Sequence, residues 1–236
     1  MKEGIPSYLY IVFTALVGAA FIVFLVWQQQ GELDTREEDL VNLAEQIGAD
    51  REQFIEDYQS DAIREDVEAQ NLLGEETGVN ATPTIVVDGE IVESNALADI
   101  QARIDQKIED DTVEKPVLVY EYFDFQCPAC AQFHQTALQL EIAYDDSEVE
   151  FRQQAFFIPQ FNQEVSEHYA YAFEAARLQG LGEEMEAEIF MYHHRDSRYD
   201  YDLVQSLIES YRSEQEDAAS EEDTDSEDSN LEIEGE

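Results

Sequence analysis

The stretch VLVYEYFDFQCPACAQFH, Val117 to His134, joins a nearly continuous apolar run to the only two cysteines of the chain. A run of this kind predicts a central β-strand that is buried on both faces. Cys127 follows at once, and Pro128 after it is typical of the first turn of a helix. The stretch therefore predicts a strand that leads into a CxxC motif, with Cys127 at the start of a helix.

The predicted position of Cys127 has a chemical consequence. Unpaired backbone N–H groups and the helix dipole at a helix N-terminus stabilise a thiolate. Cys130 would lie one turn further in, where it can resolve a mixed disulfide formed at Cys127. Because a low pKa at Cys127 stabilises the reduced form, we expect such a pair to be an oxidant.

Two other uses of the cysteines remain open. Zinc needs four protein ligands, or three and an open position, and no histidine shows a second paired spacing beyond two adjacent ones. A structural disulfide within one helical turn closes too small a loop to stabilise much. Redox chemistry is favoured, with no metal and no organic cofactor beyond the Cys127–Cys130 disulfide. The histidines considered are His134, His168, His193 and His194.

Glu121, His134 and the pair His193-His194 are polar side chains that need an interpretation. Glu121 lies in the middle of the apolar run, where burial would be costly and would raise its pKa toward the working range. The alternative is that the pleat turns Glu121 toward an edge or toward solvent. His134 is expected on the helix surface, although it could tune the thiolate. The pair His193-His194 is expected to cap a helix or to be exposed.

The part of the chain before the motif has its own pattern. Amphipathic helices are predicted over residues 37–47, 51–59 and 62–77, and the apolar side of the third includes Leu72 and Leu73. Two short strands follow, joined by Asp88-Gly89, a typical two-residue hairpin turn. Together with the helices at 96–108, after the CxxC, and at 201–213, these strands indicate an α/β or α+β domain with an added helical layer.

The composition restricts the possible partners and the location. The chain has 236 residues, 56 acidic against 12 basic, and a net charge of −44. Nucleic acid is not expected as a partner, because phosphate would be repelled. Such a surface suits a halophilic source, with an acidic exported protein as the alternative.

An uncharged apolar run within residues 8–28 is long enough to span a bilayer and too long for a cleaved signal peptide. We expect a single-pass anchor in the cell membrane with residues 1–7 in the cytoplasm and all later residues outside, where cysteines can be oxidised stably. Residues 29–36 are predicted to form a linker. Residues 213–236 are predicted to form an acidic disordered tail.

The quoted stretch resembles the active-site segment of the DsbA family of thiol–disulfide oxidoreductases, which have a thioredoxin fold. EAARLQGLGEEMEAEIF, residues 174–190, resembles the helical insert of that family. Residues 40–93 resemble the family's second half, from the rest of the insert through the cis-proline loop to the closing hairpin. The resemblance covers about residues 37–212 and implies a thioredoxin-like sheet with a helical insert.

The resemblance also implies roles for individual residues. Cys127 would be the attacking nucleophile and Cys130 the resolving thiol, with Glu121 as a buried proton acceptor for that thiol. Pro83, preceded by Thr82, would be the cis-proline whose loop packs against the disulfide and binds substrate backbone. Substrate would be an exported protein with free thiols, and a redox partner would reoxidise or reduce the pair. The residues expected to bind substrate are Thr82, Pro83, Pro128 and Ala129.

The order of the two halves departs from the family, in which the CxxC half comes first. Here the cis-proline half, 37–108, precedes the CxxC half, 117–212, and residues 109–116 connect them. We expect a circular permutant, with a swapped dimer as the alternative. A reductase or isomerase would carry the same residues, and a non-catalytic tethered peptide-binding or chaperone module is the alternative from another class.

Overall fold

The computed structural model describes residues 35–110, 112–195, 199–213 and 215. The predicted anchor 8–28 and the N-terminus 1–7 lie outside the described residues, as do most of the linker 29–36 and of the tail 213–236. Within the described ranges, every helix is too short or too polar to cross a membrane. The chain divides into two compact units, Met1–Asp39 and Leu40–Glu236.

Helices and strands interleave along the second unit, as predicted for an α/β domain. Two predicted boundaries are wrong. The first helix begins at Thr35, so the end of the predicted linker is helical, and Ser213 and Gln215 are helical although they fall in the predicted disordered tail. The helices are α1 (Thr35–Gln46), α2 (Arg51–Tyr58), α3 (Asp61–Thr77), α4 (Leu97–Ile108), α5 (Pro128–Ala143), α6 (Gln163–Arg177), α7 (Gly182–His193) and α8 (201–213). The strands are β1 (Thr84–Val87), β2 (Glu90–Val92), β3 (Val117–Phe123) and β4 (Val149–Ala155).

The described strands form one mixed sheet in the order β2-β1-β3-β4. Strands β1 and β2 form an antiparallel hairpin, and β1 also pairs antiparallel with β3, with Thr84 opposite Tyr122. Strands β3 and β4 are parallel, and α5 makes the crossover that a parallel pair requires. The predicted CxxC strand is therefore central, between one strand from each half of the chain.

Local sequence signals explain where several elements start and stop. Asp88 and Gly89 have φ values of 49° and 78°, and a two-residue hairpin turn with positive φ at both positions matches the twist of the flanking strands. The Asp50 side chain accepts a hydrogen bond from the Gln53 N–H and caps α2. Helix α3 ends at Gly78, which has a φ of 89°. The Asp88-Gly89 turn confirms the predicted hairpin, and Asp50 and Gly78 are residue types that favour the cap positions they occupy.

The sheet separates two apolar layers. Against one face, α4 and α5 pack on a cluster of Ile85, Val87, Ile100, Ile104, Val117, Val119, Phe133, Ala137, Leu140 and Val149. Residues that alternate to the opposite face pack in a cluster of Val79, Val86, Tyr122, Phe156 and Ile158. The central strand is buried on both sides, as its composition predicts.

The predicted inner side of α3 is only partly correct, because Ile63 and Val67 are buried but the two leucines are not. Leu72 and Leu73 are 49% and 39% exposed, whereas Gln70 and Gly74 are buried. A Cβ atom at Gly74 would lie only 2.5 Å from a ring carbon of Phe156, so the close approach of the helix to that ring needs glycine. This close contact and the buried amide of Gln70, rather than the leucines, define the inward side.

Candidate active site

The CxxC motif lies where β3 passes into α5. Cys127 is the N-cap of α5, with a φ of −81° and a ψ of 114°, and Pro128 is the first residue of the helix. The Cys127 N–H donates to the Asp124 carbonyl at 2.9 Å, which closes the turn between strand and helix. Both cysteines are buried free thiols, while Pro128 and Ala129 are exposed. The two middle residues of the motif thus form the outer surface over the sulfurs.

The two halves of the chain meet at Cys127. Its Sγ lies 3.4 Å from the carbonyl oxygen of Thr82, to which the protonated thiol can donate. The Thr82–Pro83 peptide bond is cis, which confirms that prediction. The Pro83 carbonyl in turn accepts from the Asn95 side-chain amide at 3.3 Å. Three of the residues predicted from the sequence to bind substrate or react, Cys127, Thr82 and Pro83, therefore lie together at one end of the β1–β3 pair.

The surroundings of the two thiols give them different pKa values. A hydrogen bond from the Cys130 thiol lowers the pKa of Cys127 to about 5, against burial, and the Thr82 side chain and the backbone N–H groups of Cys130 and Ala129 lower it further. Burial raises the pKa of Cys130, and the neighbouring Cys127 thiolate raises it again. Cys127 is therefore a thiolate near neutral pH, and Cys130 keeps its proton.

Asp124 is a buried acid beside the dithiol that the sequence did not single out as a candidate. It is 2% exposed, and burial raises its pKa to about 6, with a further contribution from the negative charge of Cys127. The Ser166 hydroxyl lies 2.8 Å from both carboxylate oxygens, and the Gln126 N–H donates to one of them at 2.9 Å. Asp124 is therefore a group that can exchange a proton close to the thiols.

His194 is also closer to the site than predicted. It is the C-cap of α7, as expected, but it is buried rather than exposed. Its Nε2–H donates to the Phe125 carbonyl at 2.8 Å. The negative charge of Cys127 favours the protonated form of His194. Burial lowers the pKa of His194, so the neutral imidazole is favoured beside the CxxC turn.

Glu121 is buried, which confirms its predicted burial and excludes the solvent-facing alternative. Burial, together with a smaller contribution from the charge of Glu183 on α7, raises the pKa of Glu121 to about 8. It lines a cavity of about 10 Å³, the size of about one water, beneath α5 together with Phe133 and Ala137. Its charged neighbours are glutamates, whereas the carboxyl that interacts with Cys127 is Asp124.

The prediction that His134 lies on the helix surface is wrong. It is 0% exposed, and burial lowers its pKa to about 3. Its Nδ1 lies 2.9 Å from the Tyr199 hydroxyl, and its Nε2 lies 3.5 Å from Glu186 Oε2. Helix α5 is covered on this side by α7 and by residues near Tyr199, which periodicity within α5 alone does not reveal. The two remaining histidines contact tyrosines: His168 contacts Tyr58, and His193 contacts Tyr169.

Some of these contacts had a signal in the sequence and others had none. Glu183 and Glu186 are three residues apart on a predicted helix, which places both carboxylates on one face. The contact between Asp124 and Ser166 joins residues 42 positions apart, on elements that only the tertiary fold brings together. The first pair could have been found from spacing, and the second contact could not.

Comparisons with known families agree with this geometry. A family model described as DSBA-like thioredoxin domain matches residues 16–105, and one described as Thioredoxin matches residues 113–232, about half of the chain. No curated protein matches the chain. Both family models indicate thiol–disulfide oxidoreductase activity in general. The chain therefore belongs to the DsbA family of thioredoxin-fold proteins.

Proposed function

We propose that this protein is a membrane-anchored, extracytoplasmic thiol–disulfide oxidoreductase that oxidises exported proteins through the dithiol of Cys127 and Cys130. The observation that carries the proposal is the position of the Cys127 sulfur at the N-terminus of α5, 3.4 Å from the Thr82 carbonyl of the cis-proline loop, where the pKa of Cys127 is lowered to about 5. A stabilised thiolate favours the reduced dithiol, so the disulfide form readily accepts electrons. The uncharged run within residues 8–28 supports the anchor.

The proposed reaction has two exchange steps. A substrate thiolate attacks Sγ of Cys127, a substrate–Cys127 disulfide forms, and the Cys127–Cys130 bond breaks. Cys130 leaves as a thiolate and takes up a proton, which suits its raised pKa. A second substrate thiolate then attacks the substrate sulfur and releases the Cys127 thiolate. The substrate is oxidised by two electrons, the dithiol is reduced by two, and a separate redox partner must reoxidise it.

Two carboxyls are candidates for the proton on Cys130. Glu121 is the acid that the family resemblance assigns, and its pKa of about 8 suits proton exchange near neutral pH. Asp124 interacts electrostatically with Cys127, and its backbone N–H donates to the Cys130 sulfur. We propose Asp124, which interacts with Cys127, as the proton donor to Cys130 and Glu121 as an acid in the adjacent core.

The proposed substrate surface lies around Cys127. Exposed Pro128 and Ala129 would face the substrate, and the loop at Thr82 and Pro83 would hold its backbone. The exchanged order of the halves is part of the proposal, and it is supported by the pairing of β1 with β3 within one chain. A swapped dimer would make the same site twice. The molar mass of the full-length chain in detergent separates the two, since a dimer would contradict the monomeric permutant.

A pair of matched variants tests the function. The full-length chain should oxidise a reduced dithiol peptide, and Cys127→Ser should abolish that activity. In Cys130→Ser, the Cys127 thiolate can attack a disulfide-bonded peptide, and the resulting mixed disulfide should accumulate because Cys130 is not there to displace the peptide. Activity that survives in Cys127→Ser would refute the assignment. The reduction potential gives the direction, because values near about −120 mV mark an oxidant and values near about −270 mV a reductant.

A further inference from the structure

A second group of ionisable side chains is buried on the side of α5 that α7 covers. Glu183 and Glu186 come from the first two turns of α7, and His134 comes from the middle of α5. His134 and Glu186 are 0% and 1% exposed, and Glu183 is half-buried. One ligand atom from each of the three residues lies within 4.8 Å of the others. We call these three residues the α5–α7 cluster.

Several atoms of this cluster are buried without a hydrogen-bond partner among the described residues. They include Nε2 of His134, Oε2 of Glu183 and Oε1 of Glu186. Oε2 of nearby Glu141 is also buried without a hydrogen-bond partner. A buried polar atom without a partner costs free energy comparable to a lost hydrogen bond. Four such atoms in one place, including an imidazole nitrogen that points at a carboxylate, indicate a group that they share.

The outer contacts hold the ligand atoms in orientations suited to a cation. The Nδ1 of His134 lies 2.9 Å from the Tyr199 hydroxyl, so a proton on Nδ1 leaves the lone pair of Nε2 directed into the cluster. Gln153 donates from Nε2 to Glu186 Oε2 at 2.7 Å. Metal-binding histidines and carboxylates typically have hydrogen bonds of this kind behind them, which fix their orientation.

We propose that His134, Glu183 and Glu186 bind one divalent first-row transition-metal ion, such as Zn²⁺ or Mn²⁺. One imidazole with carboxylate oxygens suits these ions, because nitrogen favours Zn²⁺ and oxygen favours Mn²⁺. Ligand atoms in a tetrahedral site with bonds of about 2.0–2.1 Å lie about 3.3 Å apart. The atoms of the cluster therefore need to close by about 1.5 Å at most, within reach of small side-chain rotations.

Charge and access both support a cation here. Glu121 and Glu141 interact electrostatically with Glu186, so two further acidic side chains surround the cluster. Carboxylate and imidazole ligands bind a metal ion in their deprotonated forms, so a cation that binds should displace protons. An open cavity of about 1030 Å³, bounded in part by Glu141, Gln153 and Glu183, leads to the cluster from solvent. An ion thus has a route that does not pass the CxxC motif.

The test uses Zn²⁺ with the full-length chain in its Cys127–Cys130 disulfide form, so that the thiols cannot bind the ion. Calorimetry is done in about 1 M NaCl with excess Mg²⁺, because the screening length there is only about 3 Å and surface carboxylates bind weakly. We expect one Zn²⁺ per chain, with proton release that depends on the buffer. His134→Gln and Glu186→Gln should each weaken binding by about 10-fold or more, since even the outer partners of ligands contribute about 10- to 100-fold.

The matched control is Glu184→Gln, which changes the next side chain of the same helix turn. Glu184 pairs with Arg212 and is outside the cluster, so this variant should bind Zn²⁺ as the wild type does. Glu186→Gln without metal should unfold at the same temperature as the wild type or higher, because it removes a buried carboxyl that lacks a full set of partners. Absence of stoichiometric binding, or affinity unchanged in both ligand variants, would overturn the proposal.

A measurement on the wild type alone keeps the proposal testable if a variant fails to fold. X-ray absorption at the zinc edge should give a first shell of nitrogen and oxygen atoms with one imidazole. Sulfur in that shell would place the ion on the cysteines and overturn the assignment to the α5–α7 cluster. Neither result depends on oxidase activity, so the metal site and the proposed function stand or fall separately.

Discussion

Replacing Cys130 with alanine removes the hydrogen bond that contributes most to the low pKa of Cys127. A hydrogen bond to a charged group contributes about 1.5–3 kcal/mol, and one pKa unit corresponds to about 1.36 kcal/mol. The pKa of Cys127 should therefore rise from about 5 in the wild type to about 6–7 in Cys130→Ala. Cys130→Ser keeps a hydroxyl donor at the same place, so its pKa should stay closer to that of the wild type.

The assay follows the ultraviolet absorbance of the thiolate and the rate of alkylation by iodoacetamide as functions of pH. Both variants contain a single cysteine, so each titration reports Cys127 alone. If Cys130→Ala still titrates near pH 5, the Cys130 hydrogen bond is not the main cause of the acidity. The backbone N–H groups at the start of α5 would then carry the effect.

The same shift predicts how the stability of the reduced protein depends on pH. The folded pKa of Cys127 lies below the ordinary thiol value of 9.0, so its ionisation stabilises the reduced fold. The sign follows from linkage: the contribution is complete above about pH 9 and is lost as the pH falls through about 5. The advantage of the reduced form over the disulfide form in free energy of unfolding should therefore shrink as the pH falls. A pH-independent difference would contradict the shift.

Three further predictions concern the core and the acids. Gly74→Ala places a methyl group 2.5 Å from Phe156, and overpacking of this kind should lower the free energy of unfolding in denaturant by about 1–3 kcal/mol; an unchanged midpoint would contradict the close contact. Glu121→Gln should raise the free energy of unfolding progressively from pH 4.5 to about 8, because ionisation of a carboxyl with a raised pKa opposes folding, and an equal gain at all pH values would refute that shift. Cys127→Ser should lower the pKa of Asp124 from about 6, because the charge of the thiolate is removed. Carbon-detected NMR of the Asp124 carboxyl measures this pKa, and an unchanged value would mean that the two groups do not interact.

The sequence predicts the elements of this fold well where the signal is local. The hairpin at Asp88-Gly89, the cap at Asp50 and the helix end at Gly78 each depend on a few adjacent residues, and each is present. The CxxC turn is of the same kind, because the apolar strand, Cys127 and Pro128 are contiguous. Local chemistry was therefore enough to predict the position of the reactive thiol.

The errors fall where tertiary contacts decide burial. Leu72 and Leu73 of α3 fit an apolar stripe but are exposed, whereas Gln70 and Gly74 of the same helix are buried. The amide of Gln70 accepts from the Ala155 N–H at 2.8 Å and donates to Glu174 at 2.7 Å, so a polar residue replaces a leucine at the end of β4.

His134 shows the same limit. A histidine within a helix gives no sign that another helix will cover it, and an acid three residues from another gives no sign that both will face that histidine. The α5–α7 cluster depends on how α7 packs on α5, which is information that neither helix carries alone.

The sheet register explains how the site forms whichever half of the chain comes first. In the antiparallel β1–β3 pair, Thr84 lies opposite Tyr122. Continuing that register two residues beyond β1 places Thr82 opposite Asp124, three residues before Cys127. The Thr82 carbonyl therefore meets the Cys127 sulfur through strand pairing, and the connection between the halves only has to reach around one end of the sheet. The connection runs from α4 to β3 and contributes no group to the contact between Thr82 and Cys127. The order of the halves therefore affects the entropy of closing the chain, and it leaves the chemistry at Cys127 unchanged.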